Sequence, residues 1–123
     1  MLKPLLFIGL GGGIGSILRY AVQSLMSRHT AMVFPIGTFI VNVTGCFLIG
    51  LLYGLAAKGS LFNIEWRLFL ITGFCGGYTT FSSFSYENIV LLKEGHYLQF
   101  SLYAGCSVLL GLLATVGGMA AVK

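Results

Sequence analysis

Apolar residues fill four long stretches of this chain, and the ten charged positions fence them off from one another. A helix that crosses a bilayer needs about 20 predominantly apolar residues. The first stretch follows Lys3, reaches Arg19 and continues through Ala21 to Met26, with the arginine buried or close to a wet end. The second lies between Arg28 and Lys58; Pro35 and Gly37 mark its entry, and residues 37–57 form the predicted span. The third is 68–86, bracketed by Arg67 and Glu87, and the fourth is 97–122, between Glu94 and Lys123. The predicted linkers, 27–34, 58–66 and 88–96, are short and leave no room for a soluble domain. The pattern therefore predicts an all-α integral membrane protein in which residues 1–123 form one domain of four transmembrane helices.

The third stretch contradicts itself. Residues 73–84 lie at membrane depth, yet they contain Gly73, Gly76, Gly77, the pair Thr79-Thr80 and the pair Ser82-Ser83, all poor helix formers. Lipid offers no partner to a freed backbone group, so broken backbone persists only where protein buries it or where it lines a wet cavity. The segment reads as a broken helix forming the working part of a channel or transporter. Its freed carbonyls, Gly76 to Thr79, suit a cation. Phe81 and Phe84, three apart on one helical face and interleaved with Ser82, Ser83 and Ser85, offer positive ring edges and hydroxyl donors to an anion. Aromatic residues at that spacing ordinarily only pack; the break beside them gives them a second use.

Composition agrees: 57% of the residues are hydrophobic and 8% charged, against about 25% charged in a soluble domain. The net charge of +4 comes from basic residues scattered singly at predicted helix ends, which anchors helices at the interface and does not suit nucleic acid. The apolar N-terminus resembles a signal peptide, but no small-residue cleavage site follows and a first helix is needed there. With four spans, Lys3, Lys58, Arg67 and Lys123 share one side, against Arg28 and Lys93, joined by Arg19 if it reaches the surface. So shallow a bias permits insertion in both orientations, and hence an antiparallel dimer. Four helices of this size enclose little space, and oligomerisation is expected. The spacings Gly9/Gly13, Gly11/Gly15, Gly50/Gly54 and Gly73/Gly77 allow close helix approach, either between copies or within one.

Other candidates for chemistry are weak. The run Gly9 to Ser16 misses the dinucleotide fingerprint, because Ile14 or Ser16 stands where its third glycine belongs. Cys46, Cys75 and Cys106 fall singly in three spans, without metal or disulfide spacing, and read as small packing residues. His29, His96, Glu65 and Glu94 sit near predicted helix ends as solvated groups. No nucleophile with a matching base and no carboxylate pair shares a span, which argues against an enzyme. Intramembrane polar groups carry more weight. Asn42 and Thr38, one turn apart, share a face; the Asn42 amide either bonds a neighbouring helix or donates to a passing anion. Arg19 is either a vestibule charge that draws anions or a snorkelling interfacial residue. Glu87 is either a helix-end charge or the partner of an arginine.

Several ordered parts of the chain resemble the Fluc/CrcB family of bacterial fluoride channels. They are Gly12-Gly13-Ile14-Gly15 with Arg19-Tyr20; Gly37-Thr38 leading to Val41-Asn42-Val43 and Gly45; and the segment Gly73 to Phe84. The resemblance covers nearly the whole sequence. It implies a four-helix subunit with a broken third helix, assembled as an antiparallel, dual-topology homodimer in the bacterial cytoplasmic membrane. It further implies passive fluoride export through two pathways. By the same resemblance Phe81 and Phe84 line the pores, Asn42 is a polar donor, Ser82 and Ser83 belong to a hydroxyl track, and Tyr103 and Ser107 supply polar positions on the fourth helix. The carbonyls of Gly76 and Thr79, from both copies, would hold a structural sodium ion (Na+). Ser83 stands where the family commonly has threonine, and Tyr78 fills a variable position; both keep hydroxyl or aromatic character. The alternative, a small multidrug-resistance-like dual-topology transporter, needs a carboxylate in its first helix, and residues 4–27 contain none. A purely structural membrane subunit would leave the Gly-Gly-Tyr-Thr-Thr break unexplained.

Overall fold

The computed structural model describes residues 1–30, 33–59 and 63–123, and within them the chain is helical, with no strand. Helix α1 is Leu2–His29 and α2 is Ile36–Ala57. The third crossing is made of two pieces. Helix α3 covers residues 64–78: a short α-helical start, Ile64–Arg67, a π-helical stretch, Leu68–Cys75, and a last α turn, Gly76–Tyr78. Helix α4 is Phe81–Lys93, and α5, the fourth crossing, is Tyr97–Ala121. Three helices, α1, α2 and α5, are each long and apolar enough to cross a membrane alone. The remaining crossing is divided between α3 and α4, neither of which is long enough by itself.

The predicted spans for the first, second and fourth crossings fit the helices closely. The third is longer than the charge fences suggested, since α3 starts inside the predicted 58–66 linker and α4 continues through most of 88–96. Local capping explains both ends. The Asn63 side chain accepts from the Trp66 amide at 3.0 Å and starts α3 four residues before the apolar run. At the far end Gly95, with φ of 78°, takes the left-handed turn that stops α4. Charge marks where the apolar run ends, whereas caps decide where the helix ends.

Two helix pairs carry most of the packing, α1 with α3 and α2 with α5. Lipid removes the hydrophobic drive between helices, so contact depends on small residues that let backbones meet. A Cβ on Gly11 or Gly15 would strike the carbonyl oxygens of Phe69 and Phe74 in the π-helical stretch. On the other pair, a Cβ on Gly50 or Gly118 would strike the carbonyls of Thr115 and Phe47. Of the four glycine spacings, Gly11/Gly15, Gly73/Gly77 and Gly50/Gly54 therefore pack helices within the subunit. Gly9 and Gly13 meet nothing within 4 Å and face outward. The buried apolar set is small, with Leu52, Ile71 and Cys75 at the contact of α2 and α3, while most of the described leucines are exposed, as expected where lipid is the solvent.

Candidate functional site

The break between α3 and α4 consists of Thr79 and Thr80, both with extended backbone (φ −91°, ψ 159° and φ −152°, ψ 118°). Gly76, by contrast, keeps helical angles and belongs to the last turn of α3. The threonines, rather than the glycines, interrupt the helix. Branching at Cβ favours extended backbone, and the hydroxyls then serve the two helix ends they create. Thr79 donates its hydroxyl to the Cys75 carbonyl at 2.9 Å and its amide to the same oxygen at 3.1 Å. The Thr80 hydroxyl accepts from the Ser83 amide at 3.2 Å and caps α4.

Thr80 also presents an N–H and a C=O that no helix satisfies. Asn42 on α2 takes both: its Oδ1 accepts from the Thr80 amide at 2.8 Å, and its Nδ2 donates to the Thr80 carbonyl at 3.1 Å. One Nδ2 proton remains for another acceptor. Arg19 comes from α1 and donates through Nε to the Gly77 carbonyl at 2.9 Å, in the last turn of α3 beside the break. Its positive charge faces the negative, C-terminal end of α3. The positive, N-terminal end of α4 begins at Phe81, so helix ends of opposite sign flank Thr79 and Thr80.

A cavity of about 320 Å³ opens beside the break. Asn42, Cys46, Cys75, Thr79, Thr80, Phe81, Phe84 and Ser107 are among its walls. Five of the candidate site residues, Asn42, Thr79, Phe81, Phe84 and Ser107, therefore meet at one place, drawn from α2, the break, α4 and α5, whereas Arg19, Gly76, Ser82, Ser83 and Tyr103 are not among its walls. Ser107 contributes a buried hydroxyl without a hydrogen-bond partner among the described residues. Phe81 is 78% exposed in the single chain and lies 5.8 Å, centroid to centroid, from Phe84. The ring file continues from Phe84 to Tyr103 (5.0 Å) and from Tyr103 to Phe34 (5.2 Å). Ser82 stands on the exposed side, within 3.2 Å of the Thr80 hydroxyl, and Ser83 is half-buried one residue further.

Phe34 and Thr38 line a second cavity of about 440 Å³, together with Gln23 and Glu87. There the polar groups form one chain. Gln23 donates to the Thr38 hydroxyl at 3.0 Å, Thr38 donates to Glu87 Oε2 at 2.7 Å, and the Tyr103 hydroxyl donates to Glu87 Oε1 at 2.7 Å. Glu87 thus pairs with two hydroxyls and not with an arginine, and Tyr103 spends its only proton on it. Two features hint at this chain from the residues alone: Glu87 is a carboxylate at the edge of an apolar run, and Thr38 sits one turn before Asn42. Gln23, on the far side of a linker, offers no such hint. The aromatic file, with Tyr103 at its centre, joins the two cavities.

The family described as CrcB-like protein, Camphor Resistance (CrcB), matches residues 6–119. The chain is 48% identical over 122 residues to a protein of Azobacteroides pseudotrichonymphae, an alignment covering 94% of this chain and 98% of the relative. It is 46% identical over 122 residues to one of Flavobacterium psychrophilum (99% and 98% covered), and 48% identical over 118 residues to one of Phocaeicola vulgatus (96% and 97% covered). All three relatives bear the name fluoride-specific ion channel FluC.

Proposed function

Because the chain belongs to the CrcB family, matched over residues 6–119, we propose that it is a fluoride channel and that the two cavities and the ring file between them are its pathway. The family is one of ion channels, and the chain is not an enzyme. The observation that carries the pathway is the convergence of Asn42, Phe81, Phe84 and the unpartnered Ser107 hydroxyl on the cavity at the break. Fluoride is small and strongly hydrated, and it gives up water only for donors close at hand. The free proton on Asn42, the Ser107 hydroxyl, the ring edges and the α4 N-terminus supply such contacts without a fixed cationic side chain that would trap the ion. Movement is electrodiffusive, so export follows whenever the cytoplasm holds the higher electrochemical potential of fluoride.

The working unit in this reading is an antiparallel homodimer in a bacterial cytoplasmic membrane. Its support is the shallow Lys/Arg asymmetry, the exposure of Phe81, the open side of Gly76 and the outward Gly9/Gly13 pair. Gly76 and Thr79 suit sodium as a resident ion. The Thr80 amide turns to Asn42 instead of back to the Gly76 carbonyl, which leaves that oxygen free on an open face. Carbonyl oxygens from both copies would hold the ion, which supplies positive charge to oxygens that lipid cannot satisfy.

The test is fluoride-electrode efflux from proteoliposomes. Phe81→Ile and Phe84→Ile are expected to slow efflux greatly while leaving assembly intact, as judged by size-exclusion elution. Unchanged efflux in both variants removes the rings from the pathway.

A further inference from the structure

Far from the break, the N-terminal ends of α1 and α3 enclose another cavity, of about 440 Å³. Lys3 in its wall and Arg19 beside the break stand on one helix sixteen residues apart, roughly 24 Å at the helical rise. Its walls are ordered by polarity. Lys3, Asn63 and Glu65 form one end, where Lys3 Nζ lies 3.3 Å from Glu65 Oε1. Phe7 and Leu10 follow Lys3 on the same face of α1, four and then three residues on, so that wall turns apolar as it runs into the membrane. On α3, Trp66 and Phe69 do the same, with their rings edge to face at 6.1 Å. Gly9 and Gly13, the outward pair, fall roughly a quarter turn further round α1, so a copy packed against them leaves the cavity open.

We propose that this cavity binds a phospholipid whose headgroup carries both a phosphate and a primary ammonium, as phosphatidylethanolamine does, with an acyl chain lying along Phe7, Leu10 and Phe69. The site requires a bilayer and does not depend on the fluoride route. Charge selects the headgroup. The ion pair engages one Lys3 N–H and one Glu65 oxygen, which leaves two ammonium protons and Oε2 for a ligand. A zwitterion laid across the pair meets opposite charge at both ends, phosphate at Lys3 and ammonium at Glu65. Asn63 gives its Oδ1 to the Trp66 amide at 3.0 Å and keeps both N–H donors for phosphate oxygen. Because the pair is neutral, a lipid of net negative charge loses to Glu65 what it gains from Lys3. A choline headgroup brings no N–H to the carboxylate and forgoes a charge-assisted hydrogen bond. The change from polar to apolar wall selects the rest of the molecule, since a small water-soluble zwitterion would leave Phe7, Leu10 and Phe69 uncovered.

Trp66 is the single tryptophan of the chain and lines the cavity, so its fluorescence reports on the occupant. The full-length protein is reconstituted in phosphatidylcholine vesicles in which a fixed fraction of the lipid is replaced by a form dibrominated on an acyl chain. Bromine quenches indole at short range, and the headgroup of the brominated lipid is ethanolamine, choline or glycerol. The ethanolamine lipid is expected to bind beside Trp66 about fivefold more tightly than the choline lipid, the worth of about one net hydrogen bond, and more tightly than the glycerol lipid. Glu65→Gln should erase the advantage over choline and raise the anionic glycerol lipid, because Lys3 is then uncompensated. Lys3→Gln, a change at an exposed side chain, should lower the glycerol lipid below the choline lipid, because the lone carboxylate repels it; this variant decides the matter if Glu65→Gln fails to fold. Equal quenching by the ethanolamine and choline lipids in the wild type, or a preference for the glycerol lipid, overturns the site. So does an ethanolamine advantage that survives Glu65→Gln, or a glycerol lipid unaffected by Lys3→Gln.

Discussion

Replacing Asn42 by leucine tests how the broken helix is sustained. The side chains are similar in size, so the change removes hydrogen bonding and leaves little cavity. Asn42 satisfies the Thr80 amide at 2.8 Å and the Thr80 carbonyl at 3.1 Å, and leucine satisfies neither. A buried polar group left unpartnered costs about 1–3 kcal/mol, so the two groups together set a range of about 2–6 kcal/mol. The break borders a cavity with other polar walls, and water entering there offsets part of the loss. The expected destabilisation is therefore at the low end, about 2 kcal/mol. The chain has one tryptophan, Trp66, in the first turn of α3, so its fluorescence during a reversible SDS titration reports unfolding of the segment that leads into the break. Asn42→Asp refines the test, because it keeps the acceptor for the Thr80 amide and loses the donor to the carbonyl; it should fall between wild type and Asn42→Leu in this titration, provided its added charge stays solvated. A loss below about 0.5 kcal/mol for Asn42→Leu, the size of an ordinary surface change, would refute the view that Asn42 holds the break.

Three further outcomes are expected. Ser107→Ala removes a buried hydroxyl that has no partner, so SDS stability should hold or rise while fluoride efflux falls; a fall in stability would mean the hydroxyl is structurally bonded. Gly118→Ala would push a methyl group into the Phe47 carbonyl and within 2.7 Å of the Leu51 amide, and should destabilise by about 1–3 kcal/mol, whereas Gly117→Ala, with nothing within 4 Å, should not; equal effects would refute the tight α2/α5 contact. The Glu65 carboxyl lies below its ordinary value of 4.5 because its own backbone N–H and then Lys3, 3.3 Å away, favour the charged form. A depressed folded value means this contribution is present above the unfolded value and disappears as pH falls through the lower folded one. The ion pair lies at the surface, with the Lys3 side chain 71% exposed, so the effect is small and weakened by salt. Glu65→Gln should flatten the acid limb of the stability profile, and an unchanged acid limb would refute the assignment.

How much of this could be read from the residues depends on how far each partner lies along the chain. Four crossings followed from the charge fences, and the break followed from composition, because both are local properties. Composition does not single out the cause of the break, since three glycines and two threonines lower helix propensity alike and propensity does not say which neighbour each will meet. Against the backbone of α1, Gly73 and Gly77 are packing surfaces and stay helical; Thr79 bonds back to Cys75, and Thr80 is released because Asn42, 38 residues away, completes its hydrogen bonding. Asn42 stands out for its polarity at membrane depth, whereas its contact with Thr80 is set by how α2 packs on the break. The same holds for Glu87, whose two hydroxyl partners come from α2 and α5, 49 and 16 residues away. In a membrane every polar group must find a partner or line water. Polarity therefore identifies the hydrogen-bonding residues of the site, and only the packing of the glycine-faced helices decides which of them are paired and which, like Ser107, are left without a partner among the described residues.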